Sequence, residues 1–279
     1  MKKFLFVSTT VLSLFGNAQE ELPAVRISEV QLFTVMDYST TPLSTLQNMQ
    51  KIAPQSILLQ QDFSGYNSGD FNSIFSQNSS NLMLGLSFRD KPGMTLRAGV
   101  GHSNRAILGV SLGNSERFPH DTLTSSQTGQ QYFVDSVVNR GVYANYNSQF
   151  LSFETALIFR TNSEARWSLY GGVGLSFGVG FNGRTDVSRY EYWSIESPIA
   201  NNYGNTHYES ESIPSENSFF YGVNTPLGVD FRIGKKREFW NRIHLMYELR
   251  PGISVYTVPH SASRLTPILQ QSLGLRVTF

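Results

Sequence analysis

The chain has 279 residues, a formal net charge of +1 and no cysteine. Balanced charge leaves no electrostatic footprint for nucleic acid or another polyanion, and the missing cysteines exclude disulfides, thiolate metal sites and a lipid-modified N-terminal cysteine. Only 15% of residues are charged, whereas 20 Phe, 13 Tyr and 23 Gly are present, a composition suited to a barrel that alternates lipid-facing apolar residues with a polar interior.

From the N-terminus, Met1-Lys2-Lys3 is basic, Phe4 to Phe15 is apolar apart from Ser and Thr, and Gly16-Asn17-Ala18 supplies small residues. The pattern predicts a signal peptide over residues 1–18, cleaved after Ala18. Its apolar stretch falls short of the ~20 residues a spanning helix needs. Nothing else in the chain reaches that length either, so any membrane crossing must use strands closed into a barrel. Residues 19–55 read as an N-terminal periplasmic tail or plug. Within them Ser44 can cap a short helix from Thr45 to Ile52, with Gln47 completing a capping box and Pro54 ending it. The barrel is expected over residues 56–279. Its first strand is placed at Ser56 to Ser64, with Val25 to Met36 as the rival, and Gly65 to Ser80 as the first external loop.

From Leu82 onward the alternation is regular. Leu82, Leu84, Leu86 and Phe88 face out, the turn Asp90-Lys91-Pro92-Gly93 follows, and Met94, Leu96, Ala98 and Val100 resume the outer face. Leu151, Phe153, Thr155, Leu157 and Phe159 form another outer face, joined through 162–166 to the clearest segment, Trp167 to Asn182. There Trp167, Leu169, Val173, Leu175, Phe177 and Val179 oppose a Gly/Ser face that makes room for long interior neighbours. Phe219 to Ile233 and Ile243 to Leu249 form a further hairpin around Gly234 to Glu238, and Pro251-Gly252 should interrupt the ladder as a bulge or membrane exit. Leu273, Leu275, Val277 and Phe279 close the chain with one apolar face. Connections alternate short and long, the long ones being Asn114–Tyr132, Gly183–Asn217 and Val258–Pro267. This predicts an all-β, antiparallel up-and-down transmembrane barrel of eight strands, with ten as the alternative.

The signal peptide, the dyad strands, the turn rhythm and terminal Phe279 together resemble small Gram-negative outer-membrane β-barrels, typified by outer membrane proteins A and W. The resemblance implies location in the outer membrane, contact with its lipid and lipopolysaccharide, and recognition of Phe279 by the barrel assembly machinery. It implies no cofactor.

Parity places Arg97, Glu154, Arg160, Asp230, Arg232, Glu248, Arg250 and Arg276 in the interior, along with Arg89, Arg242 and His244. An ~eight-stranded barrel is narrow enough for such side chains to fill it, so they should pair as a structural core; a narrow Arg-lined path for ions or small solutes is the alternative. In the longest loop Tyr190, Tyr192, Trp193, Tyr203 and Tyr208 interleave with acids, a composition suited to an extracellular ligand or protein. His102-Ser103-Asn104-Arg105-Ala106 is similar to the His-x-Ser-Asn-Ala segment of outer-membrane lipid A deacylases. The spacer is missing, adjacent His102 and Ser103 belong on opposite faces of a strand, and Glu116 is merely the nearest acid. The five histidines are scattered singly, without metal-ligand spacing. The expected role is therefore structural, adhesive or partner-binding rather than enzymatic. A porin-like channel and a lipid-modifying hydrolase are the alternatives.

Overall fold

A computed structural model describes residues 25–40, 43–69, 74–162, 165–198, 201–234 and 237–279; the expected leader lies outside them. The strands are β1 (Val25–Thr40), β2 (Asn67–Ser68), β3 (Ile74–Phe88), β4 (Lys91–Thr124), β5 (Gln131–Arg160) and β6 (Trp167–Glu196), followed by β7 (Asn201–Tyr203), β8 (His207–Pro214), β9 (Phe219–Asn224), β10 (Leu227–Arg232), β11 (Ile243–Thr257) and β12 (Arg264–Thr278). Two short helices, α1 (Leu46–Ile52) and α2 (Glu238–Asn241), accompany them.

The expected eight-stranded antiparallel up-and-down barrel is the fold observed. The ring runs β1, β3, β4, β5, β6, then β9 and β10 together, β11 and β12, and β12 returns to β1. β9 and β10 are one strand broken at Thr225-Pro226. Asn224 opposes Gly252 and Leu227 opposes Leu249, so the register carries straight through the break. Thr225 N–H still donates to the Pro251 carbonyl at 2.9 Å. The bulge expected at Pro251 is absent: β11 continues past it, with Pro251 opposite Leu269. The interruption falls on the neighbouring strand instead, where Pro226 has no N–H to give.

The first strand is the rival segment. β1 seals against β12 from Glu29 opposite Thr278 to Ser39 opposite Ile268, while Leu58–Gln60 is a single 3-10 turn. Residues 25–40 thus belong to the barrel and not to a tail. The alternation of β1 is masked because Phe33 and Val35, both fully buried, face the lumen while Leu32 and Met36 face outward. With apolar residues on both faces, the period of two loses contrast.

Outward-facing Leu82, Leu84, Val100, Phe153, Val173, Leu175, Tyr221, Leu245, Leu273 and Leu275 stand exposed around the ring. Such an apolar belt on a closed ring is what hydrocarbon demands of a strand-built span. One end carries short connections such as the Arg89-Asp90 turn; the other carries a crown. A crossing takes ~9–11 residues per strand, yet β4 has 34 residues and β5 and β6 have 30 each. The segments expected as loops at Asn114–Tyr132 and Gly183–Asn217 are therefore largely strand: β4 and β5 pair out to Thr124 opposite Gln131, and β8 adds to β6.

Two bulges explain why the alternation fades there. Ile107 is an extra residue in β4 between Ala106 and Leu108. In β6, Asn182 and Gly183 stand where β5 has Ser148, with Asn182 at φ 52°. Each bulge shifts the side-chain frame by one. Below them Ser103 and Arg105 face inward; above them Leu108, Val110, Leu112, Thr185 and Val187 do.

Candidate functional site

The lumen at membrane level is filled by linked ion pairs in three tiers. Nearest the short-turn end, Glu29 binds Arg160 Nη2 at 3.1 Å and Arg276 Nη1 at 2.7 Å. Arg276 Nη2 continues to Asp230 at 2.8 Å, and Asp230 Oδ1 contacts His244 Nδ1 at 2.6 Å. In the middle tier Arg97 meets Glu248 at 2.7 Å, Arg250 binds that same carboxylate, and Arg250 also reaches Glu154 at 2.9 Å. Above it Arg105 pairs with Asp37 at 2.6 Å and hydrogen-bonds the Tyr256 hydroxyl.

Five guanidiniums (Arg97, Arg105, Arg160, Arg250, Arg276) thus face five carboxylates (Glu29, Asp37, Glu154, Asp230, Glu248). Burying any of these charges alone would cost several kcal/mol, so neutrality is what lets them occupy the lumen. The side chains pack tightly at mid-height. Arg97 and Glu248 are 1% and 0% exposed, and the void between Arg97, Glu154, Asn224 and Arg250 is about 10 Å³, at most room for a single water.

Of the interior residues expected from parity, eight join these tiers: Arg97, Glu154, Arg160, Asp230, His244, Glu248, Arg250 and Arg276. Arg232 lies at the short-turn rim, lining the opening below them, and Arg242 pairs instead with Glu238 on the exposed turn at 2.5 Å. Glu29 and Asp37 escape a reading that starts the barrel at Ser56, as does Gln31, which accepts from Arg97 Nη1 at 3.2 Å, and Arg105 escapes as part of the His102 segment. That reading also places the room for long side chains on the wrong strand. On β6, Gly178 faces Phe220 and Gly174 faces Asn224, whereas Gly85 on β3 makes way for the Glu29 carboxylate: a Cβ there would lie 2.2 Å from its Cγ.

Above the tiers, the connection from β1 to β3 folds into the mouth. Thr45, rather than Ser44, caps α1, its Oγ1 accepting from Asn48 N–H at 3.2 Å. Met49, Ile52 and Leu59 pack against Leu108, Val110, Val142, Ala144, Tyr146 and Phe220 in an apolar core. Because β1 uses residues 25–40, this helix falls at the crown end and cannot be a lid at the end holding the short turns. Glu211 of β8 fastens it, accepting from Ser56 Oγ, Ile57 N–H at 3.2 Å and Leu58 N–H at 3.1 Å. Arg189 adds a bond to Gln61 at 2.7 Å.

The loop aromatics lie on this sheet. Tyr190 stacks on Tyr143 with ring centroids 5.7 Å apart and on Tyr192 at 6.1 Å. Gly141 permits the stack, since a Cβ there would enter the Tyr190 ring. Burial, with Tyr143 beside it, pushes the Tyr190 hydroxyl up to about 12. Trp193 covers Gly204, Tyr203 is exposed, and exposed Tyr208 sits opposite Tyr190 on β8. Arg117 bridges Asp135 at 2.9 Å and Glu196 at 2.8 Å, and Arg140 bridges Glu116 and Glu191.

His102, Ser103 and Glu116 are not brought together. His102 faces outward beside Phe181, with ring centroids 6.1 Å apart, whereas Ser103 faces the lumen and accepts from Arg105 Nε at 3.3 Å. Glu116 lies thirteen residues further along β4, roughly 40 Å at the rise of a strand. Phe279 is exposed at the rim of the short-turn end, its N–H held by the Ser28 carbonyl at 2.9 Å.

No protein-family model matches the chain, and no curated protein sequence does. Among solved structures it is similar to Neisserial surface protein A, at 13% identity and a TM-score of 0.39, covering 91% of this chain and 99% of that one. It is also similar to Ail, the attachment invasion locus protein of Yersinia pestis, at 10% identity and 0.31, covering 91% and 100%. The translocator domain of the autotransporter NalP from Neisseria meningitidis gives 10% identity and 0.19, covering 99% and 96%. The fold assignment rests on the closed ring and the apolar belt.

Proposed function

We propose that the chain is an integral outer-membrane barrel that binds a partner through its crown and neither conducts solutes nor catalyses a reaction. The observation that carries this reading is the contrast along one axis: the lumen is closed by paired charge and by α1, while β4, β5, β6 and β8 rise far beyond a membrane crossing. On this reading the crown is extracellular, the short-turn end is periplasmic, and the belt contacts outer-membrane lipid and lipopolysaccharide. Exposed Phe118, Phe133, Trp193, Tyr203 and Tyr208 supply rigid apolar contacts to a partner. Arg117, Arg140 and their acids supply the polar surround. The separation of His102 from Ser103 supports a non-enzymatic role, and the void at mid-height supports a non-conducting one.

Two measurements test this. In planar bilayers the purified barrel should give no discrete conductance steps; regular steps would favour the channel. A Gram-negative host displaying the barrel should adhere to epithelial monolayers several-fold better than one displaying a form with Arg117–Val134 cut to a two-residue turn. Equal adhesion would remove the binding role.

A further inference from the structure

At the short-turn end the barrel opens into a cavity of about 520 Å³, a volume typical of small-ligand sites. Five arginines reach it from separate segments: Arg26 on β1, Arg89 at the β3–β4 turn, Arg160 ending β5, Arg232 ending β10 and Arg276 on β12. Facing them, Glu29 is the lining side-chain carboxylate, with Asp230 behind it. Those two acids neutralise Arg160 and Arg276. Among the described residues no side-chain carboxylate forms an ion pair with Arg26 or Arg232, and the buried Nε atoms of Arg232 and Arg276 have no hydrogen-bond acceptor. His244 is held by Asp230 and adds no negative charge. The cavity therefore holds positive charge and donors in excess, inside a concave wall that concentrates the field. Phe88, Pro92 and Phe279 give it an apolar flank.

Guanidinium forks reaching one space from several walls suit a tetrahedral phosphate, because forks on different sides can each bind two of its oxygens at once, whereas a carboxylate offers a single pair. We propose that this vestibule binds a phosphate ester, the phosphate held at Arg26 and Arg232 above the Glu29–Arg276 floor and the organic part against Phe88 and Phe279. The ester could come from a soluble phosphate monoester or from the headgroup of a phospholipid in the adjoining leaflet. The chemistry of recognition is the same for both.

The test uses the full barrel purified in a phosphate-free non-ionic detergent. Glycerol 3-phosphate is titrated calorimetrically at low salt, and retention of added phosphatidylglycerol is followed by native mass spectrometry. Binding of glycerol 3-phosphate, or retention of phosphatidylglycerol alone, supports the site and identifies the soluble or the lipid source respectively. In either case R26Q/R232Q should weaken binding at least tenfold, Arg26→Gln alone several-fold, and crown Arg117→Gln not at all. Arg26→Gln changes an exposed strand end outside the ion-paired tiers, so it keeps the test open if the double variant folds poorly. Binding of neither probe, or equal binding by parent and both vestibule variants, overturns the proposal.

Discussion

The barrel and the crown are built from the same strands on opposite plans. At membrane level Leu82, Leu175 and Leu273 face outward and the charges of Arg97, Glu248 and Glu29 face inward. In the crown the inward face is Val110, Val142, Ala144 and Val187, and the outward-facing charges include Arg117 with its partners Asp135 and Glu196. The solvent explains the inversion. Hydrocarbon leaves the lumen as the one place for polar groups, whereas water drives apolar groups together around α1. On the proposed function the same inversion separates the tasks: a rigid, filled lumen below and a binding surface above.

If the two halves are independent, damage to each should stay local. The largest effect is expected from Glu248→Ala, which leaves Arg97 and Arg250 without their shared carboxylate. Loss of one partner of a buried pair costs about 3–5 kcal/mol, so the urea midpoint of the reconstituted barrel should fall. Hydrogen exchange at α1 should not change. An unchanged midpoint would mean that the tiers do not stabilise the barrel.

Met49→Ala removes a fully buried side chain from the crown core and should cost about 2–5 kcal/mol there. Its signature is rapid proteolysis within 43–69, with the heat-modifiable gel shift of the barrel intact. Collapse of both together would break the distinction between the halves. Glu211→Ala strands three donors at Ser56, Ile57 and Leu58, a local loss of about 1–3 kcal/mol, visible as faster exchange at 57–59 alone. Smallest is Arg117→Gln. Its two ion pairs are largely exposed, so the expected change is about 0.2–1 kcal/mol, and it should vanish near 1 M salt, where screening acts within ~3 Å. Persistence at high salt would show that Arg117 packs rather than pairs.

Legibility in the sequence followed the same division. Strands with clean contrast, such as Trp167 to Asn182 and Leu273 to Phe279, give parity directly, and parity brings out Arg97, Arg160, Asp230, Glu248, Arg250 and Arg276 as interior. β1 hides because Phe33 and Val35 point into the lumen, and with β1 go Glu29 and Asp37. In the crown, Ile107 and Asn182 each displace the alternation by one residue, so segments that continue as strands look like loops. The partners of Glu211 in the 56–58 turn lie more than 150 residues away in sequence, and no local pattern relates residues so far apart.

Those two extra residues resemble a change of reading frame. A chimera joined above Leu108 in β4 and above Gly183 in β6 would keep both grammars of the strands, and could carry a foreign crown on this barrel. A junction that deletes Ile107 would instead rotate Val110 and Leu112 to water while leaving every membrane-facing residue in place. The crown is thus an exchangeable cassette with a fixed splice level, and a single residue at that level decides which side of the sheet its hydrocarbon faces.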